Sequence, residues 1–229
     1  MTSVPEAERR TAERIDDPGD ADHAARPIDD IMPEDGRTAR RQRNRLAVVD
    51  ALLELYRDGD LRPGTTEIAE RAGLSPRSLF RYFEDVDDLT LAAIDRAEQR
   101  ALPLLLVGVA PDDRLEVRIG GLVDQRLRLF DAMAPVARVS RLNAPFQALL
   151  TTEMRRNRAL LRRQIGDLFA SELTVLGTAA GEATLAALDV LGSFESYELL
   201  RTDQGLSTAQ ARSVLVAAMS ALLTTPTPE

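Results

Sequence analysis

The chain has 229 residues, 44% of them hydrophobic, with no cysteine and a formal net charge of −8. That length buries a substantial core but is short for two large domains. The missing cysteines exclude disulfides, a thiol nucleophile and a thiolate metal site, and no segment approaches the roughly 18 continuous apolar residues of a membrane span.

The charge is segregated. Residues 1–36 hold eleven acids and four arginines, a net of −7; residues 37–83 hold ten arginines and six acids, a net of +4; residues 84–229 carry −5. A local basic patch, rather than the summed charge, is what phosphate binding requires. All basic residues are arginine, a planar donor fork suited to phosphates and guanine edges. The same usage also follows from a GC-rich bacterial genome.

Residues 1–36 have almost no large apolar residues and no periodicity, and read as a disordered acidic tail. The only histidine, His23, lies there, and one ligand on a tail builds no metal site. The start is acidic and polar, unlike a secretory signal, so a soluble cytoplasmic protein is expected.

The first helix is expected from about Thr38 to Asp58, with Leu46, Val49, Leu53 and Tyr56 on one apolar stripe. Gly59 and Pro63-Gly64 stop it. Arg37, Arg40, Arg41, Arg43 and Arg45 crowd its first turns with no acid among them. Cations there oppose the helix dipole, a cost that a polyanionic partner offsets. A second helix is expected from Thr65 or Thr66, as cap, through Ala72. Gly73 supplies the left-handed C-cap, Leu74 fills the space between helices, Ser75 caps a third helix, and Pro76 occupies its first position. On α-helical spacing, Leu79, Phe80 and Phe83 face inward, while Arg77, Ser78, Arg81 and Tyr82 face outward, a short donor-rich surface suited to base edges and phosphates.

A fourth helix, about Val86 to Leu102, is amphipathic through Leu89, Ala93 and Ala97. The remainder is helical throughout, in expected pieces Asp113–Met133, Pro135–Asn143, Pro145–Leu176, Ala180–Thr202 and Ser207–Leu223. The last two carry wide apolar faces (Leu185, Leu188, Leu191, Leu199, Leu200; Val214, Leu215, Ala218, Leu222, Leu223) and so need two neighbours, one of which a second subunit could provide.

These residues resemble the TetR (tetracycline-repressor-like) transcriptional regulators. The matching string is Ile68-Ala69, Ala72-Gly73-Leu74-Ser75 and Leu79-Phe80-x-Tyr82-Phe83, with Leu89 opening the next helix, over about residues 40–92. The resemblance implies an all-α homodimer with three parts: a tail at 1–36, a helix-turn-helix DNA-binding domain at 37–85, and a helical regulatory and dimerisation domain at 86–229. It implies a repressor released from a near-palindromic operator by a small-molecule effector. By position, Pro76, Arg77 and Ser78 fall where members touch bases or nearby phosphates, Tyr82 falls on a phosphate-binding aromatic, and Thr65 and Thr66 fall where members anchor the backbone or read an edge base. With Arg81 and the upstream Arg40, Arg41 and Arg43, they form the expected DNA-binding set. Two departures stand out. Phe80 replaces a frequent tyrosine, and Val86, among Glu84, Asp85, Asp87 and Asp88, replaces a usual lysine.

Arg126, Asn143 and Gln147 are polar residues in apolar helical stretches and are the candidates for effector binding. No cofactor and no metal are expected. The lack of cysteine, the single tail histidine and the absence of a phosphate-binding glycine loop argue against an enzyme. The alternative is a helical interaction module of the same fold with weak or lost DNA binding.

Overall fold

A computed structural model of the chain describes residues 36–224, with side chains from Thr38 onward. The acidic tail and His23 lie outside the described residues, except for Gly36, which opens the first helix. The regular structure of the described residues is helical: α1 (Gly36–Arg57), α2 (Thr65–Arg71), α3 (Pro76–Leu79), α4 (Val86–Ala101), α5 (Leu115–Asn143), α6 (Ala148–Leu168), α7 (Ala170–Val175), α8 (Thr178–Leu191), α9 (Phe194–Glu198) and α10 (Thr208–Thr224). A 3-10 turn, Leu102–Leu105, follows α4, and a π-helical turn, Leu199–Asp203, follows α9. No described helix is long and apolar enough to cross a membrane.

Two apolar clusters organise these helices. In the N-terminal head, Val49, Leu53 and Tyr56 of α1 are buried as their spacing requires, and Leu46 is half-buried. They meet Ile68 and Ala69 of α2, Leu79, Phe83, and Leu89 and Ala93 of α4. Val136 and Val139 of α5 and Leu150 of α6 complete this cluster. The body cluster joins Ile119, Leu122 and Phe130 of α5 to Ile165, Phe169, Leu188 and Met219. Met133 packs against both clusters, so α5 is the spine shared by head and body.

Ion pairs fasten the same seams. Asp50 of α1 accepts from Arg96 Nε at 2.6 Å and Nη2 at 2.8 Å, and from Arg100 Nη2 at 2.7 Å, tying α1 to α4. The Arg96 guanidinium holds the Asp50 carboxyl below its ordinary range. In the body, buried Arg118 pairs with Glu172 through both of its terminal guanidinium nitrogens.

Three expected boundaries differ. The break expected between Met133 and Pro135 is absent, and α5 runs 29 residues through Pro135. A proline inside a helix costs about 3 kcal/mol, but Ala134 and Val136 are both buried beside it, and packing on two cores outweighs that cost. The helix expected over Pro145–Leu176 begins at Ala148 and stops at Leu168. There Arg118 donates to the Leu168 carbonyl at 2.7 Å and its guanidinium lies 5.5 Å from the centre of the buried Phe169 ring, which draws that carbonyl out of the helical ladder. The helix expected over Ala180–Thr202 breaks at Gly192-Ser193, where the Ser193 hydroxyl accepts the Ser196 N–H at 3.2 Å and caps α9.

The wide apolar faces near the C-terminus divide. Leu188, Leu200, Leu215 and Leu223 are buried, while Leu199 and Val214 remain 49% and 45% exposed. Between α7 and α8, Gly181 is required because a Cβ there would lie 2.5 Å from the Leu173 carbonyl oxygen.

Candidate nucleic-acid interface

The turn between α2 and α3 is built by its backbone. Gly73 has φ of 68°, its N–H reaches the Glu70 carbonyl at 3.0 Å, and the Leu74 N–H reaches the Ala69 carbonyl at 2.8 Å. This double closure is a Schellman motif, which needs a residue in the left-handed region at Gly73. Leu74 packs half-buried against the head cluster, as expected. The caps differ from expectation. Gly64, not a threonine, is the N-cap of α2, because its carbonyl accepts the Ile68 N–H at 3.0 Å and starts the helix one residue earlier. Thr65 is half-buried and Thr66 exposed, and their hydroxyls have no partner among the described residues. Ser75 is the N-cap of α3 but makes no side-chain cap bond; its hydroxyl meets that of Ser78 at 2.9 Å.

The α-helical part of α3 is only four residues long and continues as 3-10-type turns, with Arg81 N–H to Ser78 O at 3.2 Å and Tyr82 N–H to Leu79 O at 3.0 Å. Three residues per turn align positions three apart. Phe80 therefore follows Arg77 outward, 51% exposed, and Tyr82 follows Leu79 inward, half-buried. This corrects both assignments made on α-helical spacing. The Tyr82 hydroxyl also accepts from Asn44 Nδ2 at 2.9 Å, so α1 holds it in place. The outward set is Pro76, Arg77, Phe80 and Arg81, all exposed, with Ser78 half-buried.

Arg40, Arg41 and Arg43 at the start of α1 are exposed. They, Arg77 and Arg81 make no ion pair with any described residue. Arg45 behaves differently: its guanidinium lies 4.7 Å from the centre of the Phe83 ring, spent on the head itself. The side chain of Arg37 lies outside the described residues. Asn44 and Arg45 precede buried Val48 and Val49 by four residues, a spacing that shows in sequence that these two face inward.

The acids that flank Val86 at the start of α4 have a structural use. The Asp85 side chain accepts the Asp88 N–H at 2.8 Å, and the Asp88 side chain accepts the Glu84 N–H at 3.2 Å. The first bond is an N-cap, the second ties the preceding residue back to the helix start, and acids in a first turn also suit the helix dipole. Val86 is 39% exposed and brings no cation.

The three effector candidates are not brought together. Arg126 is 1% exposed, and its guanidinium donates to Gln125, to Gln164 Oε1 at 3.0 Å and to the Leu161 carbonyl at 2.9 Å, while its Nε has no partner among the described residues. Burial lowers its pKa to about 10. Asn143 returns its amide to the Val139 carbonyl at 3.0 Å near the end of α5. Gln147 is the N-cap residue of α6. None of them lines the open cavity of about 660 Å³ between α4, α5, α6 and the α8–α9 junction. Arg126 is instead committed to a helix–helix seam and Asn143 to a helix end, while the Gln147 Oε1 is buried with no partner among the described residues.

No protein-family model matches this sequence, and no curated protein matches it. Solved structures do. A Rhodococcus sp. protein assigned to the TetR family of transcriptional regulators is 20% identical with a TM-score of 0.58, the alignment covering 80% of this chain and 100% of that one. A Mesorhizobium loti protein with the same assignment is 20% identical with a TM-score of 0.57, covering 80% of this chain and 96% of that one. The chain has the all-helical fold of the TetR-family regulators.

Proposed function

We propose that this protein is a sequence-specific DNA-binding transcriptional regulator, a homodimeric repressor released from its operator by a small molecule. The observation that carries this reading is the set of exposed arginines without ion pairs on two neighbouring elements of the head. Arg77 and Arg81 flank the outer face of α3, and Arg40, Arg41 and Arg43 lie at the start of α1. Bases are read by the first group and phosphates gripped by the second. Thr65, Thr66, Pro76, Ser78 and the Asn44-held Tyr82 supply short backbone contacts. Phe80 adds an exposed apolar ring beside Arg77, suited to a thymine methyl group.

Dimerisation is proposed through α8 and α10, which pack together and leave Val190 and Val214 exposed. Two heads then read half-sites about one DNA turn or a multiple apart, which calls for a near-palindromic operator. The domain limits follow: 37–85 binds DNA and 86–229 regulates and dimerises. Because α4 and α5 contribute to the clusters of both parts, a change in the body reaches the head through them.

A gel shift against DNA upstream of the gene tests the proposal. Binding that weakens as salt rises supports it. No binding at low salt removes it and leaves a helical interaction module of the same fold.

A further inference from the structure

The cavity of about 660 Å³ lies where the two apolar clusters meet. Ile94, Val136 and Ala144 on its wall pack in the head cluster, and Ala101, Leu129 and Phe130 in the body cluster. Its size and apolar wall fit a small organic ligand, and any occupant touches both clusters at once.

One polar group inside this wall is unused. Ser140 of α5 is 7% exposed, lines the cavity, and its hydroxyl has no hydrogen-bond partner among the described residues. Helical hydroxyls commonly bond the carbonyl four residues back. Thr152, Thr174 and Ser213 do so here at 3.0, 2.7 and 3.0 Å, but Ser140 does not. The other lining hydroxyls are already engaged: Thr151 donates to the Ala144 carbonyl at 2.7 Å and Ser193 to the Val190 carbonyl at 2.6 Å.

Most charges of the rim are occupied with one another. Arg158 lies 3.4 Å from Asp189 and 3.8 Å from Glu195, and Arg141 is 2.7 Å from Glu195. Arg156 is 3.8 Å from Glu153, and Glu98 accepts from Asn157 at 2.8 Å. Arg155 and Arg163 have no ion pair with a described residue, but both are exposed to solvent. Burial pushes the Glu98 carboxyl above its ordinary range, the mark of surroundings that resist charge. A charged ligand would be desolvated here without gaining a buried partner.

We propose that this cavity binds an uncharged, mainly apolar small molecule whose single hydroxyl or carbonyl sits against Ser140. As the effector site of a repressor this rests on the regulator reading; as a binding site it does not.

The full-length protein is loaded with N-phenylnaphthylamine, a neutral fluorophore that brightens in apolar sites, and challenged with decanol, decanoate or decyltrimethylammonium. Decanol is expected to displace it at a concentration at least about tenfold below either ion. Ser140→Ala is expected to raise the decanol requirement about five- to tenfold after correction for the variant's own fluorophore affinity. Displacement by either ion as effective as by decanol, no effect of Ser140→Ala, or no fluorophore binding overturns the assignment. A parallel gel shift keeps the two readings apart. A protein that binds decanol but not its upstream DNA retains this site and loses the regulator function.

Discussion

Arginine serves in two ways, and the difference is clearest between five arginines of the head and four of the body. In the body, Arg118, Arg138, Arg141 and Arg212 each meet a carboxylate across a helix–helix contact. In the head, Arg40, Arg41, Arg43, Arg77 and Arg81 meet none among the described residues and point to solvent. The residue type is the same; what differs is whether an acid stands opposite. A paired arginine is a fastener. An unpaired one is positive potential available to a polyanion, which is why an acidic protein can still present a basic surface.

The sharpest way to break this contrast is to remove one fastener and one free cation and compare. Arg118→Ala leaves Glu172 without its partner and frees the Leu168 carbonyl, so unfolding free energy is expected to fall by about 3 kcal/mol, read from urea denaturation. At temperatures where the variant is folded, its DNA affinity should be unchanged. Arg77→Ala should do the reverse. Its urea midpoint stays put, and discrimination between operator and scrambled duplex falls by about 1–3 kcal/mol; equal losses on both duplexes would remove the base-reading role of this side chain. Arg41→Ala sharpens the division within the head. Affinity should fall alike for all sequences, and the slope of log affinity against log salt should flatten by about 1.

The smallest effect expected is in acid. The carboxyls of Asp50 and Glu172 are held below their ordinary range by hydrogen bonds from Arg96 and Arg118. A depressed folded pKa gives stability that is present above the unfolded value and lost as pH falls through the folded one. The urea midpoint should therefore decline below about pH 4. Glu172→Gln should lower the neutral-pH midpoint and flatten that decline. An unchanged slope would mean that the body pairs contribute little.

Much of the head was legible in the sequence. Gly73, Leu74 and the apolar spacing of α1 and α4 are local signals, and each lies where its pattern requires. Phe80 and Tyr82 were misplaced because their faces depend on how tightly α3 winds, and four residues of sequence carry no period of their own. The body was legible as helical but not in its boundaries. Pro135 and Phe169 obey or defy local rules according to what packs on them. The scattered places of the effector candidates have a related cause. Polarity within an apolar stretch marks Arg126 in sequence, but only tertiary contacts show its guanidinium hydrogen-bonded within the α5–α6 seam and the Ser140 hydroxyl left unused.

Sequence by itself determined the helical class, the helix-turn-helix turn and the concentration of arginine around it, because periodicity, caps and net charge are properties of neighbouring residues. Tertiary structure decided which arginines stay free, which face of α3 is outward, and where the two cores leave a cavity. Those depend on residues far apart in the chain, such as Asp50 with Arg96 or Arg118 with Glu172, that meet only after the helices pack.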